Sequence, residues 1–234
     1  MTTDIGSPIE LKDAELFRSL SSSELKALVP FLRENNYDKG EVIFSAGEEC
    51  GQVLIVRSGR VKVSFLSDSG KEQILEVLES GQTCACHPAS FQWRCQAAVQ
   101  ALTDCRVWLF PKADYDRLLK SNQKLLASLS HIFANRLCRF CSLIEGISLD
   151  EPDKRLIKFI LDSVKNNGRL WEDEKHYYIS FTHEEISQRL GLVRETVTRH
   201  LNKLKRLQLI DMKFQQIIVL KEDHLRGIVQ PPSS

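Results

Sequence analysis

The stretch SFTHEEISQRLGLVRETVTRHLNKLKRLQLI, residues 180–210, decides the reading of this chain. Thr182-His183-Glu184-Glu185 fits the S/T-x-x-E capping box, in which a hydroxyl and a carboxylate close the first turn of a helix from both sides. That helix carries Ile186 and Leu190, and Gly191 supplies a tight turn after it. A second helix is predicted from about Arg194 to Leu207, with Val197, Leu201 and Leu204 facing inward. Two short helices joined at a glycine make a helix-turn-helix, whose second helix enters the major groove of DNA. Residues 194–206 hold Arg194, Arg199, Lys203, Lys205 and Arg206 against Glu195 alone, in a chain of net charge +1. Such a local excess of cations is a footprint for phosphates, where the bland alternative is a basic solvated helix. Arg194, Glu195 and Arg199 sit in the first two turns, where base edges are reached. Arginine pairs with guanine O6 and N7, and glutamate accepts from the cytosine amino group. Thr182, Thr196, Thr198 and Lys203 are expected to position the phosphate backbone.

Upstream, Asp150-Glu151-Pro152 marks a boundary, since a residue before proline is pushed out of the helical region. From it a C-terminal domain is expected over 150–234: a helix at Lys154–Lys165, a short strand near Tyr178–Ser180, the two helices above and a hairpin near Asp211–Leu220. Before the boundary a helix is predicted over 112–147. Its Leu126, Leu129, Phe133, Leu137, Phe140, Ile144 and Ile147 recur every three or four residues as one apolar stripe. A stripe this long suits packing against a twin, so 112–149 reads as a parallel dimerisation helix; a core helix of a monomer is the alternative. Still earlier, glycines at 40, 47, 51, 59, 70 and 81 punctuate short alternating runs. Strands are expected at Val42–Ser45, Gln52–Arg57, Val61–Leu66, Glu72–Leu78, Thr83–Cys86, Ala97–Ala101 and Arg106–Phe110. They form a small β-roll over 1–111, with short helices in residues 9–36. The fold class is therefore α+β.

Composition bounds the rest. The 234 residues are 42% hydrophobic and 27% charged, which suits a folded chain of one large or two modest domains. No run of about 18 uncharged apolar residues exists, so no membrane helix is expected. The first residues lack a basic region followed by an apolar one, so a secretory signal is not expected and the chain is placed in the cytoplasm. Near-neutral charge excludes a protein that coats nucleic acid by bulk charge. Seven cysteines, reduced by default in that compartment, cluster unevenly: Cys84, Cys86, Cys95 and Cys105 fall within 22 positions, and Cys138 and Cys141 stand three apart.

Arg194-Glu195-Thr196-Val197-Thr198-Arg199 resembles the R-E-T-V-x-R recognition helix of the catabolite activator and fumarate–nitrate regulator superfamily. The β-roll, long helix and winged C-terminal domain follow in that family's order over residues 14–225. The resemblance implies a homodimeric transcription regulator that binds a palindromic site with TGTGA-like half-sites, works with RNA polymerase, and is switched by a ligand held in the roll. Cyclic-nucleotide members carry a glutamate and an arginine in a phosphate cassette. Placing Gly81 and Ala97-x-Val99 on that pattern puts Cys86 at the glutamate and Cys95 at the arginine, so cyclic AMP is not expected. Cys84 and Cys86 leave one face of a strand. By the resemblance Cys95 meets them, while Cys138 and Cys141 flank Arg139 and Phe140, the helix positions nearest the ligand. Three or four convergent thiolates suit an iron–sulfur cluster, zinc or copper(I), and equally a dithiol switch. Iron–sulfur members place their cysteines near the N-terminus, and residues 1–49 hold none.

A second resemblance is to the haem-bearing carbon monoxide sensors of the same superfamily, which carry a C-x-H element six residues past the same glycine. His87 stands six past Gly81 and is the haem ligand on this reading. Each thiol also has a packing alternative, free cysteine being among the most buried residue types. Two rival classes are a cupin-like metal enzyme and a scaffold protein. No second histidine or carboxylate cluster supports the first, and the scaffold leaves the basic helix unexplained.

Overall fold

The computed structural model describes residues 10–49, 51–84, 95, 97–172 and 175–229, apart from the side chains of 147–149. The chain forms two compact units, residues 1–140 and 141–234.

In the first unit, α1 (Ser22–Leu28) opens with a complete capping box: the Ser21 hydroxyl accepts from the Glu24 N–H and the Glu24 carboxylate accepts from the Ser21 N–H at 2.7 Å. Among the described residues eight strands follow: β1 (Arg33–Tyr37), β2 (Val42–Phe44), β3 (Gln52–Ser58), β4 (Val61–Leu66), β5 (Glu72–Leu78), β6 (Thr83–Cys84), β7 (Ala98–Ala101) and β8 (Cys105–Pro111). They build two antiparallel sheets in the orders β1-β8-β3-β6 and β2-β7-β4-β5. Leu54, Val56, Val107 and Leu109 of one sheet share a core with Val61, Leu78, Val99 and Ala101 of the other, which makes the roll. At the corner between β3 and β4, Gly59 has φ +86°, and a β-carbon there would lie 2.4 Å from the Asp104 carbonyl oxygen and 2.7 Å from Cys105 Cβ. Only glycine fits both the left-handed backbone and the approach.

Two expectations are corrected. Residues 33–37, grouped with the N-terminal helices, are an edge strand paired with β8 from Arg33↔Leu109 to Tyr37↔Cys105. Four of its five residues are exposed, so Arg-Glu-Asn-Asn-Tyr shows no alternation, and charge on an edge guards it against stray pairing. The helix expected over 112–147 is two, α2 (Lys112–Ser121) and α3 (Gln123–Leu149). Asn122 breaks it with extended backbone, accepts from the Leu125 N–H at 3.1 Å and donates to Glu24 at 2.9 Å. The side chain that stops one helix caps the next. The single apolar stripe also divides: Leu125, Leu129 and Ile132 are buried with Phe17, Phe110 and Tyr115, whereas Leu126, Leu137 and Ile144 are exposed.

The second unit holds α4 (Pro152–Asn167), β9 (Arg169–Leu170), β10 (Tyr177–Ser180), α5 (His183–Leu190), α6 (Arg194–Arg206), β11 (Ile210–Lys213), β12 (Gln216–Val219) and α7 (Glu222–Val229). The sheet order is β11-β12-β10-β9, all antiparallel. Pro152 stands in the first turn of α4, where its missing N–H costs nothing. Leu156, Ile157 and Ile160 of α4 pack with Ile186 of α5, Val197, Leu201 and Leu204 of α6, and Leu225 of α7. α7, with Leu225 fully buried, closes this core and was not among the expected elements.

Candidate nucleic-acid interface and effector site

The helix-turn-helix is built from its ends inward. Thr182 caps α5 by accepting from the Glu185 N–H at 3.0 Å. The reciprocal half of the expected capping box does not form; the Glu185 carboxylate turns to Arg189, four residues on, at 3.0 Å. Gly191 ends α5 in the left-handed region, φ 64° and ψ 27°, and the N–H groups of Gly191 and Leu192 both return to the Ser187 carbonyl. Arg155 of α4 donates to the Leu190 carbonyl at 2.9 Å, satisfying another orphan of the helix end. The turn is thus fixed on both sides, and α6 leaves it at a set angle with Val197 and Leu201 fully buried.

That burial turns the opposite face of α6 outward. Arg194, Glu195, Thr198, Arg199, Asn202 and Arg206 line one open concave surface of about 710 Å³. Asn202 was missed by sequence reasoning, because an asparagine mid-helix has no motif; its place three residues after Arg199 and four before Arg206 was the available signal. Thr196 is half-buried, and Thr182 is exposed with its hydroxyl used as the cap. The Thr198 hydroxyl donates to the Arg194 carbonyl at 3.0 Å and meets His183 Nδ1 at 2.9 Å, so it positions the first turn of α6 from within. Burial, and then the neighbouring Arg194 charge, hold the His183 imidazole below its usual pKa. Lys203 is turned away, its ammonium 2.5 Å from Asp153, which also contacts His200. Burial pushes the Asp153 carboxyl up, but the Lys203 hydrogen bond and the His200 and Lys203 charges outweigh it and leave it below the usual range.

In the roll, Cys84 is half-buried at the end of β6, Cys95 and Cys105 are buried, and Cys138 and Cys141 are exposed on α3. Cys50, Cys86 and His87 lie outside the described residues. Among the described residues no three His, Cys, Asp or Glu side chains come together to hold a metal, so the described thiols do not by themselves make the donor set an iron–sulfur cluster requires. A different constellation surrounds Thr83, the residue before Cys84. Its N–H donates to Glu15 at 2.9 Å and its carbonyl accepts from Arg136 of α3 at 2.7 Å. Arg136 and Arg139 both pair with Glu76 of β5, at 2.7 and 2.6 Å, and the Glu76 side chain is only 9% exposed. Burial raises the Glu15 carboxyl, against the Thr83 hydrogen bond and the Arg136 charge. No motif announces this cluster, since Glu76, Thr83 and the Arg136–Arg139 pair come from three separate elements and Glu15 from a turn before them.

A helix-turn-helix with a β-hairpin wing, carried on a chain whose other half is a β-roll and a long helix, defines a DNA-binding transcription regulator. Residues 34–122 match the cyclic nucleotide-binding domain family and residues 154–228 the Crp-like helix-turn-helix domain family. The chain belongs to the catabolite activator and fumarate–nitrate regulator superfamily, and it is related to anaerobic and redox regulators. It is 26% identical over 208 residues to the electron transport regulator A of Shewanella oneidensis, covering 88% of this chain and 83% of that protein. It is 24% identical over 208 residues to the fumarate and nitrate reduction regulatory protein of Vibrio cholerae, with coverage of 88% and 83%. The fold matches that of a CooA mutant from Carboxydothermus hydrogenoformans with a TM-score of 0.78 at 23% identity, over 94% of this chain and 98% of that one. No helix among the described residues is long and apolar enough to cross a membrane.

Proposed function

We propose that this regulator is a cytoplasmic homodimer that binds palindromic DNA with TGTGA-like half-sites beside RNA polymerase. It answers redox state or a diatomic gas through the cysteine-rich stretch that begins at Cys84. Residues 1–111 receive the signal, 112–149 pair with a second copy, and 150–234 bind DNA. The observation that carries the reading is the hydrogen bond from Arg136 to the Thr83 carbonyl, 2.7 Å long. A chemical change at Cys84 lies one residue from a direct tie to α3, the helix whose exposed Leu126, Leu137 and Ile144 suit a twin. Such a helix is a two-state element that both signal and DNA can bias. The names of the relatives, electron transport and anaerobic regulators, support a redox signal in particular.

The test is an absorption spectrum of the freshly purified protein without air, with iron, sulfide and haem assayed on the same sample, followed by DNA binding before and after air. Broad charge-transfer absorption with iron and sulfide would assign the signal to a cysteine-held cluster, and a sharp Soret band to haem with His87 as the candidate ligand. A colourless protein whose DNA affinity changes on oxidation and returns with thiol would assign a dithiol switch. A protein whose DNA affinity ignores air, thiols and gases alike overturns the redox and gas reading.

A further inference from the structure

The wing presents a feature that the recognition helix does not explain. β11 and β12 pair up to Lys213↔Gln216, so Phe214 and Gln215 alone form the hairpin turn. Phe214 takes φ +55° there, and its side chain is fully exposed. In a two-residue hairpin the position with positive φ belongs to glycine, asparagine or aspartate. A phenylalanine at this point strains the backbone, and its ring, wholly in water, gains nothing from folding in return. Backbone strain that a fold retains clusters at functional surfaces.

The ring is not on a loose loop. The Gln215 carbonyl accepts from the N–H of Phe181, just ahead of α5, at 3.2 Å. Lys213 lays its ammonium 5.1 Å from the centre of the Trp171 ring, and Trp171 stacks edge-on against Tyr178 at 5.4 Å. The turn is thereby fixed to the helix-turn-helix, across a cleft of about 380 Å³. Thr182, His183, Glu184 and Arg194 line that cleft together with Phe214 and Gln215. Arg194 also borders the concave surface of α6, so the wing tip flanks the face read as meeting DNA.

We propose that Phe214 is a DNA contact: its ring enters the minor groove flanking each half-site and lies against deoxyribose and base edges as an apolar wedge. The proposal rests on the DNA-binding reading of α6. A helix seated in the major groove leaves a neighbouring structure at its N-terminal flank facing the next phosphate ridge and the minor groove beyond it. Apolar side chains inserted there partly unstack a base step, and flexible pyrimidine–purine steps yield most readily. The wedge would therefore add a preference for such steps at positions no α6 side chain reaches. The adjoining Lys213 brings positive charge to the same strand of the wing.

The experiment uses the full-length protein and a duplex that it selects itself from a randomised pool, with hydroxyl-radical cleavage mapping the minor groove. Phe214→Ala is expected to bind at least fivefold more weakly and to lose protection at the flanks while keeping it over the half-sites. Phe214→Trp is expected to bind within twofold of the parent. Phe214→Gly relieves the backbone strain, so its unfolding midpoint should equal or exceed the parent's although its DNA affinity falls; loss of folding cannot produce that pair of results. Flank protection retained in Phe214→Ala overturns the proposal whatever the affinity, and would assign the ring to a protein partner. Failure of the parent to select any duplex, or full selectivity in Arg199→Ala, overturns the reading of α6 instead.

Discussion

Arg136 Nε stands 2.7 Å from Glu76 Oε2, with both side chains at about a tenth of their full exposure. A pair this dry costs desolvation on both ions, and its worth is felt when one member is removed. Arg136→Met should cost about 3 kcal/mol, the low end for a broken buried pair, because the half-exposed Arg139 still neutralises Glu76 in part. Urea unfolding checks the value, and adding Glu76→Gln to Arg136→Met should recover most of the loss. A double variant as unstable as the single one would show that packing, not charge, is at stake.

His183 gives the second unit a defined pH dependence. Its folded pKa lies below the ordinary 6.5, from burial first and the Arg194 charge second. A depressed imidazole binds its proton more weakly in the folded state, so stability is complete above 6.5 and declines as the pH falls through the folded value. Unfolding midpoints measured across mildly acid pH should show this slope, and His183→Gln should flatten it.

The reading of α6 is tested at Arg194 and Arg199. Alanine at either should cost about 1–3 kcal/mol in affinity for a selected duplex and relax the preference at one base pair, with the fold intact. Lys203→Ala should do less, since its ammonium is engaged by Asp153. Fluorescence anisotropy titrations at several salt concentrations separate the two effects. The arginine variants lose discrimination, while a residue that merely neutralises phosphate changes the salt slope.

Among the described cysteines, Cys105 is poorly suited to signalling. Burial, followed by the carboxylates of Glu41 and Asp104, pushes its pKa up to about 11. The thiolate is the reactive form, so alkylation of Cys105 at neutral pH should be negligible in the folded protein and should appear only with denaturant, as peptide mass spectrometry would show. Labelling of Cys105 without unfolding would contradict the burial.

How legible was the molecule beforehand? The second unit was readable where local chemistry acts alone: Thr182 caps, Gly191 turns, and Val197, Leu201 and Leu204 keep helical period. Most roll strands were readable through glycine punctuation and alternation. β1 was not, because an exposed polar edge strand lacks the period-2 signal. The break at Asn122 left only a weak signal, the polar run at residues 120–124, because no glycine or proline marks it and the stop comes from side-chain hydrogen bonds. On α6, the outward placing of Arg194, Glu195 and Arg199 followed from the inward period of Val197, Leu201 and Leu204, whereas the diversion of Lys203 depends on Asp153, fifty residues away in sequence. The Glu76 cluster is illegible by nature, being a meeting of distant residues.

Gly59 and Cys105 tie a thiol's chemistry to a hydrogen atom. The Cys105 thiol is buried, burial raises its pKa, and the residue that passes over its Cα and Cβ has no β-carbon of its own. One added methyl at position 59 would overlap the Asp104 carbonyl oxygen and the Cys105 β-carbon, so the β3–β4 corner or the start of β8 would have to shift. A mutation that touches no cysteine codon would thus disturb the setting of a cysteine.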